Sequence, residues 1–581
     1  MITLSDRSRL YICLNLSLLI LIHGVQNALA TDNEQILSQL TIPPSPPLNS
    51  DSPNLSGEIR VTKFEFQGQT VFSEAELGEI IVPAIQQNIS SISDRSFSLS
   101  QLLQVATQVA DFYSAKGYKT SGAIIVVPEA TQKTKQGTVI IKVLEGSLQE
   151  IRVSQAPDIK GEGSLDNYVR SRLKVKPNTP LNVDDLLEAL QLLQLDPLIT
   201  NVTAKLSASS TPGQNILDVT YRPAKSLSVS INLDNNRSPS VGTFQRSINL
   251  KEGNLSGLGD TFSIGFSNTD GSDRVDLSYQ VPINSQNGSL GFSYAYSNNG
   301  VVEPPFDDLD LDGNSPDIES QFSNYKLTFR QPVIRQIKNQ TFRELGLGVS
   351  TEWRETKSFL FNEPFPLSLG ADISGQTKLF ILHLSQDYTQ QNERESLSLL
   401  SEFSLGLDAF GSTVTPQTQK GETEIPDGKF FSWRGQAQYV RLLAPDTLLL
   451  FRSNLQLANT LVSTEQFSLG GFGTVRGYRQ DLLLTDNGFL LSAEARLPIW
   501  KNRQGNGVLQ VIPFADYGIG WNKSGDTPDP NHLASVGLGL LWRQDNFSAR
   551  LDWGIPLVNV EGGDRTWQEN GLYFSVEYRP F

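Results

Sequence analysis

Few residues of this chain have the type and spacing that chemistry requires, and most of those are charged. The stretch Gly471-Phe472-Gly473-Thr474-Val475-Arg476-Gly477-Tyr478-Arg479-Gln480-Asp481 sets one arginine between an aliphatic residue and a glycine. A guanidinium keeps its proton in a protein, so Arg476 must meet either water or an acceptor. Asp308, Asp310 and Asp312, followed by Gly313 and Glu319, have the D-x-D-x-D-G-x5-E spacing whose clustered oxygens suit calcium. Pro316 interrupts that loop and no helical pattern flanks it, so a solvated acidic loop is the competing reading. No other metal or cofactor is expected. Beyond residue 30 the sequence has no Cys, and its only His residues are His383 and His532. Disulfides, Cys-based zinc and a nucleophile–His–acid triad are thereby disfavoured, and no enzymatic turnover is expected.

Charge narrows the partners. With 62 acidic against 47 basic residues the net charge is −15, which leaves no basic face for phosphates, so nucleic acid is not expected. Arg7 and Arg9 precede an apolar run from Leu10 to Ile22, and Ala28-Leu29-Ala30 offers small residues for cleavage. Residues 1–30 therefore read as a secretory signal peptide, the run being shorter than the ~20 residues of a spanning helix. Residues 31–57 hold Pro43, Pro44, Pro46, Pro47 and Pro53 and read as an extended linker. The piece 34–40 within it has the length of a turn or two of helix.

Residues 58–146 and 147–224 show the same order of patterns, β-α-α-β-β, twice. In the first copy a strand at Ile59–Phe66 precedes a helix near 74–89 that Pro83 should break. A second helix starts at Ser98 or Ser100, carries Leu102, Val105, Val109 and Tyr113 at helical spacing, and stops at Gly117. Strands at 123–127 and 138–144 follow. The second copy has a strand at Ile151 and Val153, a helix over 165–173, and a helix capped by Asn182 that Asp196-Pro197 ends. Strands at 199–206 and 216–221 complete it. Exposed sheet edges of such units can accept an extended peptide as an extra strand, though two structural spacers fit the pattern equally well.

From residue 225 to 581 helical spacing gives way to alternation. In 547–553 Phe547, Ala549, Leu551 and Trp553 alternate with Ser548, Arg550 and Asp552. Leu491, Ala493, Ala495 and Leu497 oppose Ser492, Glu494 and Arg496, and Leu509, Val511, Ala515 and Tyr517 oppose Phe514, Asp516 and Gly518. The polar faces are too charged and too rich in glycine for the dry core of a sandwich. About sixteen strands are predicted, with long connections at 299–320, 356–375, 409–428, 459–487 and 557–571 and short ones at 442–445, 500–506 and 544–546. This parity, with Trp433, Trp500, Trp521, Trp542 and Trp553 near strand ends, predicts an antiparallel transmembrane barrel with long outer loops. A mean hydropathy of −0.24 does not oppose it, because such strands carry little hydropathy signal.

On these residues the chain resembles the two-partner secretion transporters, the haemolysin and filamentous haemagglutinin secretion and activation family within the POTRA-plus-barrel superfamily. The likeness shows in residues 109–118, in Val143-Leu144-Glu145-Gly146, and in Leu233-Asp234-Asn235-Asn236 leading to Gly257-Leu258-Gly259-Asp260. It is most specific in Val475-Arg476-Gly477-Tyr478 and Phe514-Ala515-Asp516-Tyr517-Gly518. The resemblance implies an α+β pair of periplasmic POTRA repeats followed by an all-β outer-membrane barrel of about 16 strands. It also implies a pore that captures an unfolded partner exoprotein and moves it to the cell surface. Outer-membrane lipid and, during biogenesis, the barrel-assembly machinery are further implied partners. In the family the loop bearing the motif folds into the lumen and its arginine pairs with the aspartate of strand thirteen; here those roles fall on Arg476 and Asp516, with Glu494 and Arg496 on the same lumen face. Two alternatives stand beside this: a barrel-assembly or protein-import member of the superfamily, and a passive porin or receptor. The family's N-terminal plug helix has only the short 34–40 piece to match it. Phe581 is out of phase with Phe574, Val576 and Tyr578.

Overall fold

A computed structural model describes residues 58–85, 95–159, 164–309, 316–415, 424–560 and 566–580. The leader 1–30, the linker 31–57 with its 34–40 piece, Asp310, Asp312 and Phe581 lie outside these residues. The described chain falls into two compact units that meet at residues 224 and 225.

The first unit holds the two repeats. Strand β1 (Ile59–Gln67) leads to helix α1 (Glu74–Ile85), strand β2 (Arg95–Phe97) and helix α2 (Leu99–Ala115). Strand β3 (Gly122–Val126), the short helix α3 (Glu129–Thr134) and strand β4 (Gln136–Leu144) close the copy. Helix α1 runs two residues past Pro83 and ends at Ile85, short of the expected residue 89. The strand β2 and helix α3 have no counterpart in the predicted order; at three and six residues they are too short to show a periodicity. Ser98 caps α2 in a reciprocal box with Gln101. The second copy runs β5 (Ser147–Gln155), α4 (Asp166–Arg172), α5 (Val183–Gln194), β6 (Ile199–Ala208) and β7 (Gln214–Pro223). Its sheet order is β5-β7-β6 against β2-β1-β4-β3 in the first, and in both the last strand is central, parallel to the first and antiparallel to the one before it. Each copy buries its own apolar core.

The joint between the copies is built on two helix ends. Gly117 ends α2 at φ 91°, and a Cβ there would collide with the Asn182 side chain. Asn182 Oδ1 accepts the N–H groups of Asp184 (3.0 Å) and Asp185 (3.2 Å) to cap α5, while its Nδ2 donates to the Lys116 carbonyl at 3.1 Å. Lys119 then pairs with Asp184 at 2.6 Å.

Glu145 staples the first copy. Its carboxylate accepts the Thr70 N–H at 2.7 Å, the Val71 N–H and the Tyr113 hydroxyl at 2.9 Å each, and the Thr70 hydroxyl. Burial pushes its pKa up, but these donors outweigh it and hold the group below the ordinary 4.5. A depressed folded-state pKa contributes stability that is fully present above the unfolded value and is lost as pH falls through the folded one. Glu145→Gln is therefore expected to cost on the order of 1 kcal/mol near neutral pH and to speed amide exchange at Thr70 and Val71 in the full chain. The ratio of the variant's exchange rate to that of the unsubstituted protein should fall toward one as pH drops below about 4.5. Mass-spectrometric exchange along a pH series checks both.

The second unit is a closed antiparallel barrel. Its sixteen strands, numbered in chain order, are 227–234, 245–253, 261–268, 272–282, 289–300, 318–338, 341–360, 376–391, 395–407, 431–444, 447–458, 487–501, 507–521, 532–544, 547–556 and 572–578. A two-residue segment, Glu363–Pro364, extends the edge of strand seven. Strands six and seven, 21 and 20 residues long, exceed the ~9–11 residues a tilted strand needs to cross, so their hairpin continues past the apolar band. Every backbone group in hydrocarbon needs a partner inside the protein, and the ring supplies it by pairing strand sixteen with strand one. That seam is short: Ser575, Val576, Glu577 and Tyr578 pair with Asp234, Leu233, Asn232 and Ile231. Residues Leu491, Tyr517, Val536, Leu538, Leu540, Leu551 and Ile555 point outward and are exposed, whereas the alternate residues are buried inward. Trp500 and Trp542 stack at 5.3 Å near one rim, and Trp521 ends strand thirteen near the other.

Candidate functional site: a hairpin seated in the barrel lumen

The connection between strands eleven and twelve, residues 459–486, turns inward. Phe467–Leu469 pairs antiparallel with Leu483–Thr485, making a hairpin stalk whose tip carries the glycine-rich stretch. Phe467, Leu469, Val475, Tyr478 and Leu483 are buried against Leu490 of strand twelve and Leu533 of strand fourteen. An apolar hairpin needs a recess in the wall, and the wall makes one by omitting side chains. A Cβ on Gly518 would lie 2.5 Å from Leu469 and 3.0 Å from Val475; one on Gly554 would lie 2.5 Å from the Gly477 nitrogen. Gly488 and Gly520 likewise leave room for Phe467 and Thr485. Lumen-facing glycines on three strands thus form a cradle.

Arg476 lies at the bottom of that seat with its side chain 1% exposed. Nε donates to Asp516 Oδ2 at 2.7 Å and Nη2 to Oδ1 at 2.9 Å, a bidentate pair to strand thirteen. The backbone N–H of Arg476 donates to the same carboxylate at 3.2 Å. Nη1 reaches Glu494 on strand twelve at 3.1 Å and Asp552 on strand fifteen at 3.4 Å. The guanidinium also stacks 3.5 Å above the Phe514 ring, which gives that lumen-facing aromatic a reason to be there. Ser492 donates to Asp516 at 2.6 Å. Arg496 bonds Glu494 at 2.8 Å, and Arg550 bonds both Asp552, at 2.6 Å, and Glu494, at 3.0 Å. The other motif residues hold the tip. Gly477 takes φ 99° and donates its N–H to the Tyr573 hydroxyl at 3.0 Å, which in turn donates to the Tyr478 carbonyl at 2.5 Å. Tyr478 donates from its own hydroxyl to the Ala534 carbonyl at 2.8 Å.

All of the motif residues Val475, Arg476, Gly477 and Tyr478 meet the wall, and the structure brings Phe514, Asp516, Gly518, Glu494 and Arg496 to them. The acidic outer stretch is not gathered with this site. Glu319 lies in strand six opposite Gly300, and Asp308 sits in the preceding loop, where Asp317 accepts the Leu309 N–H. Among the described residues no three His, Asp, Glu or Cys side chains converge as metal ligands. Arg550, Asp552, Ser492 and Tyr573 were not singled out from sequence. The lumenward phase of Ser492, Arg550 and Asp552 is legible in the alternation of 491–497 and 547–553, but the gathering of all four around the hairpin tip depends on registers such as Asp516 opposite Ser492 and Asp552 opposite Tyr573.

The geometry is that of a pore whose lumen holds one of its own loops. Residues 213–541, more than half of the chain, match the haemolysin secretion/activation protein family ShlB/FhaC/HecB. The chain belongs to that family. Residues 59–146 match the POTRA domain of ShlB type. The heme/hemopexin transporter protein HuxB of Haemophilus influenzae is 25% identical over 510 residues, covering 83% of this chain and 82% of the relative. The outer membrane transporter CdiB of Escherichia coli O6:K15:H31 is 24% identical over 526 residues, covering 89% and 82%. The solved structure of CdiB from Escherichia coli has the same fold, with a TM-score of 0.68 at 19% identity over 100% of this chain and 99% of that one. As a member of this family the chain is a two-partner secretion transporter, an outer-membrane pore that moves a partner exoprotein to the cell surface, with its POTRA domains in the periplasm. Membership favours this over a barrel-assembly protein or a passive porin.

The cradle makes a prediction. Gly518→Val would place methyl groups where Leu469 and Val475 lie, an overpacking worth about 1–3 kcal/mol against the seated hairpin but not against the strand ladder. The variant should insert normally and conduct ions more freely in planar bilayers than the unsubstituted transporter. Unchanged conductance would mean that the recess does not hold the hairpin in place.

Proposed function

We propose that the hairpin of residues 459–486 is the gate of this transporter and that Val475, Arg476, Gly477 and Tyr478 are its latch. At rest the hairpin fills its seat in the lumen. An extended segment of the client exoprotein binds the POTRA pair, adding a strand to an exposed edge such as β3 or β5, and is passed to the pore. The hairpin tip then leaves its seat and the client threads outward. Folding of the client at the cell surface supplies the direction, since the periplasm has no ATP. The chain does this without a catalytic centre and without a cofactor.

The observation that carries this reading is the fully buried Arg476, held by carboxylates from three strands. Removing one partner of such a pair leaves charge uncompensated and costs about 3–5 kcal/mol. A loop with no role in the lumen would keep its arginine in water. Arg476→Ala is expected to reduce client secretion to background while the barrel remains inserted, with the heat-modifiable gel mobility of the unsubstituted protein. Secretion at the ordinary level from that variant would rule the latch out.

A further inference from the structure

The hairpin tip carries a second arginine, three residues after the first. Gly477 turns the chain at φ 99° between them, and the two serve different parts of the pore. Arg476 meets the strands of the wall, whereas Arg479 meets the outer connections. Its Nη1 and Nη2 donate to the two oxygens of Glu303 at 2.9 and 2.7 Å, and Nη1 also donates to Glu569 Oε1 at 3.2 Å. The side chains of Arg479, Glu303 and Glu569 are 24%, 18% and 9% exposed. This bidentate pair, largely out of water, is thus unlike the screened surface pairs that contribute little. The acids of the hairpin itself are engaged elsewhere. Asp481 accepts from the Ser468 hydroxyl and from Gln480 Nε2, and Asp486 from the N–H groups of Leu461 and Lys523.

Glu303 belongs to the connection between strands five and six, and Glu569 to the connection between strands fifteen and sixteen. Around the ring, strands one to four stand between those two connections. Both carboxylates can reach one guanidinium only because their connections lean inward over the lumen. The connections between them lean with them. The Val302 N–H donates to the Ser240 carbonyl at 2.9 Å, and the Gly271 N–H to the Val241 carbonyl at 3.0 Å. Gln568 accepts the Gln480 N–H at 2.8 Å and donates to the Arg237 carbonyl at 2.8 Å. Val241, Val301 and Gln568 are consequently buried, although all three lie in connections at the rim.

We infer that Arg479 is a positioning residue of the outer mouth: it holds the connections bearing Glu303 and Glu569 together over the lumen while the hairpin is seated, and these connections part when the client leaves. A hairpin that withdraws takes from the two carboxylates the cation they share, so unseating the tip and opening the mouth are coupled. The inference rests on the gate reading above, and the test separates the two.

The test uses the full chain in intact cells, where the single cysteine of the sequence, Cys13, lies in the leader. Val301→Cys, buried where the connections meet, reports on the mouth through its labelling by a membrane-impermeant maleimide added outside. Arg479→Ala should raise the labelling rate about tenfold, the shift expected from losing a charge-assisted pair. Arg479→Glu should raise it as well, and adding Glu303→Arg should restore slow labelling, because one cation again faces two carboxylates. An unchanged rate in Arg479→Ala, or no restoration by the swap, would overturn the role given to Arg479. For export, Glu303→Cys with Glu569→Cys are joined by a reducible bifunctional thiol reagent, with joining scored as loss of free thiol. The joined form should secrete no client until reductant is added. Secretion from the joined form equal to that of its reduced form would show that the mouth need not part, and the inference would fall. A tip pair, Val475→Cys with Gly518→Cys, is joined alongside. Secretion that continues with the tip joined would overturn the gate reading itself, so the two failures are told apart.

Discussion

A guanidinium taken out of water must be met by acceptors, and the lumen of this barrel is organised around meeting one. Arg476 is carried inward by a loop, so its partners must already be fixed on the wall, and rigid strands provide them. Asp516, Glu494 and Asp552 stand on strands thirteen, twelve and fifteen, each in the inward phase, and each is bonded by a wall residue as well as by the loop. The acceptors are thus held in position before the arginine arrives. The glycine recess follows from the same requirement, because a backbone that brings an arginine this close needs space that side chains would fill. Phe514 adds a flat surface under the cation, and Gly554 lets the Gly477 backbone approach within contact distance.

The barrel itself answers a different constraint. A strand cannot satisfy its own backbone, so the membrane admits it only within a closed ring. Closure forces the alternation that places apolar residues toward lipid and frees every second position for the lumen. The two faces offset each other in the average, which is why the hydropathy of the chain does not show that it crosses a membrane. Glycine and charge crowd the inward positions because the lumen is wet where the hairpin does not fill it.

Much of this was legible before the structure. Alternation marked the strands, the parity of long and short connections set which rim each loop occupies, and the phase of strand thirteen turned Asp516 inward. In the first repeat, helix α2 announced itself through its capping serine, its helical spacing and Gly117. What stayed hidden has physical reasons. Strand β2 and helix α3 are shorter than any period. Pro83 marks the end of helix α1 only to within two residues. The stalk residues Phe467, Leu469 and Leu483 are apolar and lumenal at once, so the rule that assigns apolar side chains to lipid does not place them. The partnership of Arg476 with Asp552, 76 residues away, depends on the registers of successive strand pairs, which alternation leaves free to slide by two.

Tyr573 joins the closure of the ring to the seat of the hairpin. It lies on strand sixteen, among the last residues of the chain, yet its hydroxyl is shared by the Gly477 N–H and the Tyr478 carbonyl. Gln568, just upstream, accepts the Gln480 N–H and donates to the carbonyls of Asn235 and Arg237 after strand one. The hairpin tip is therefore stitched to both sides of the seam that closes the ring. A nascent barrel that lacks its final strand has neither a complete wall nor a complete seat, and both are finished by the same C-terminal residues. Closing the ring and completing the hairpin's seat thus draw on the same strand.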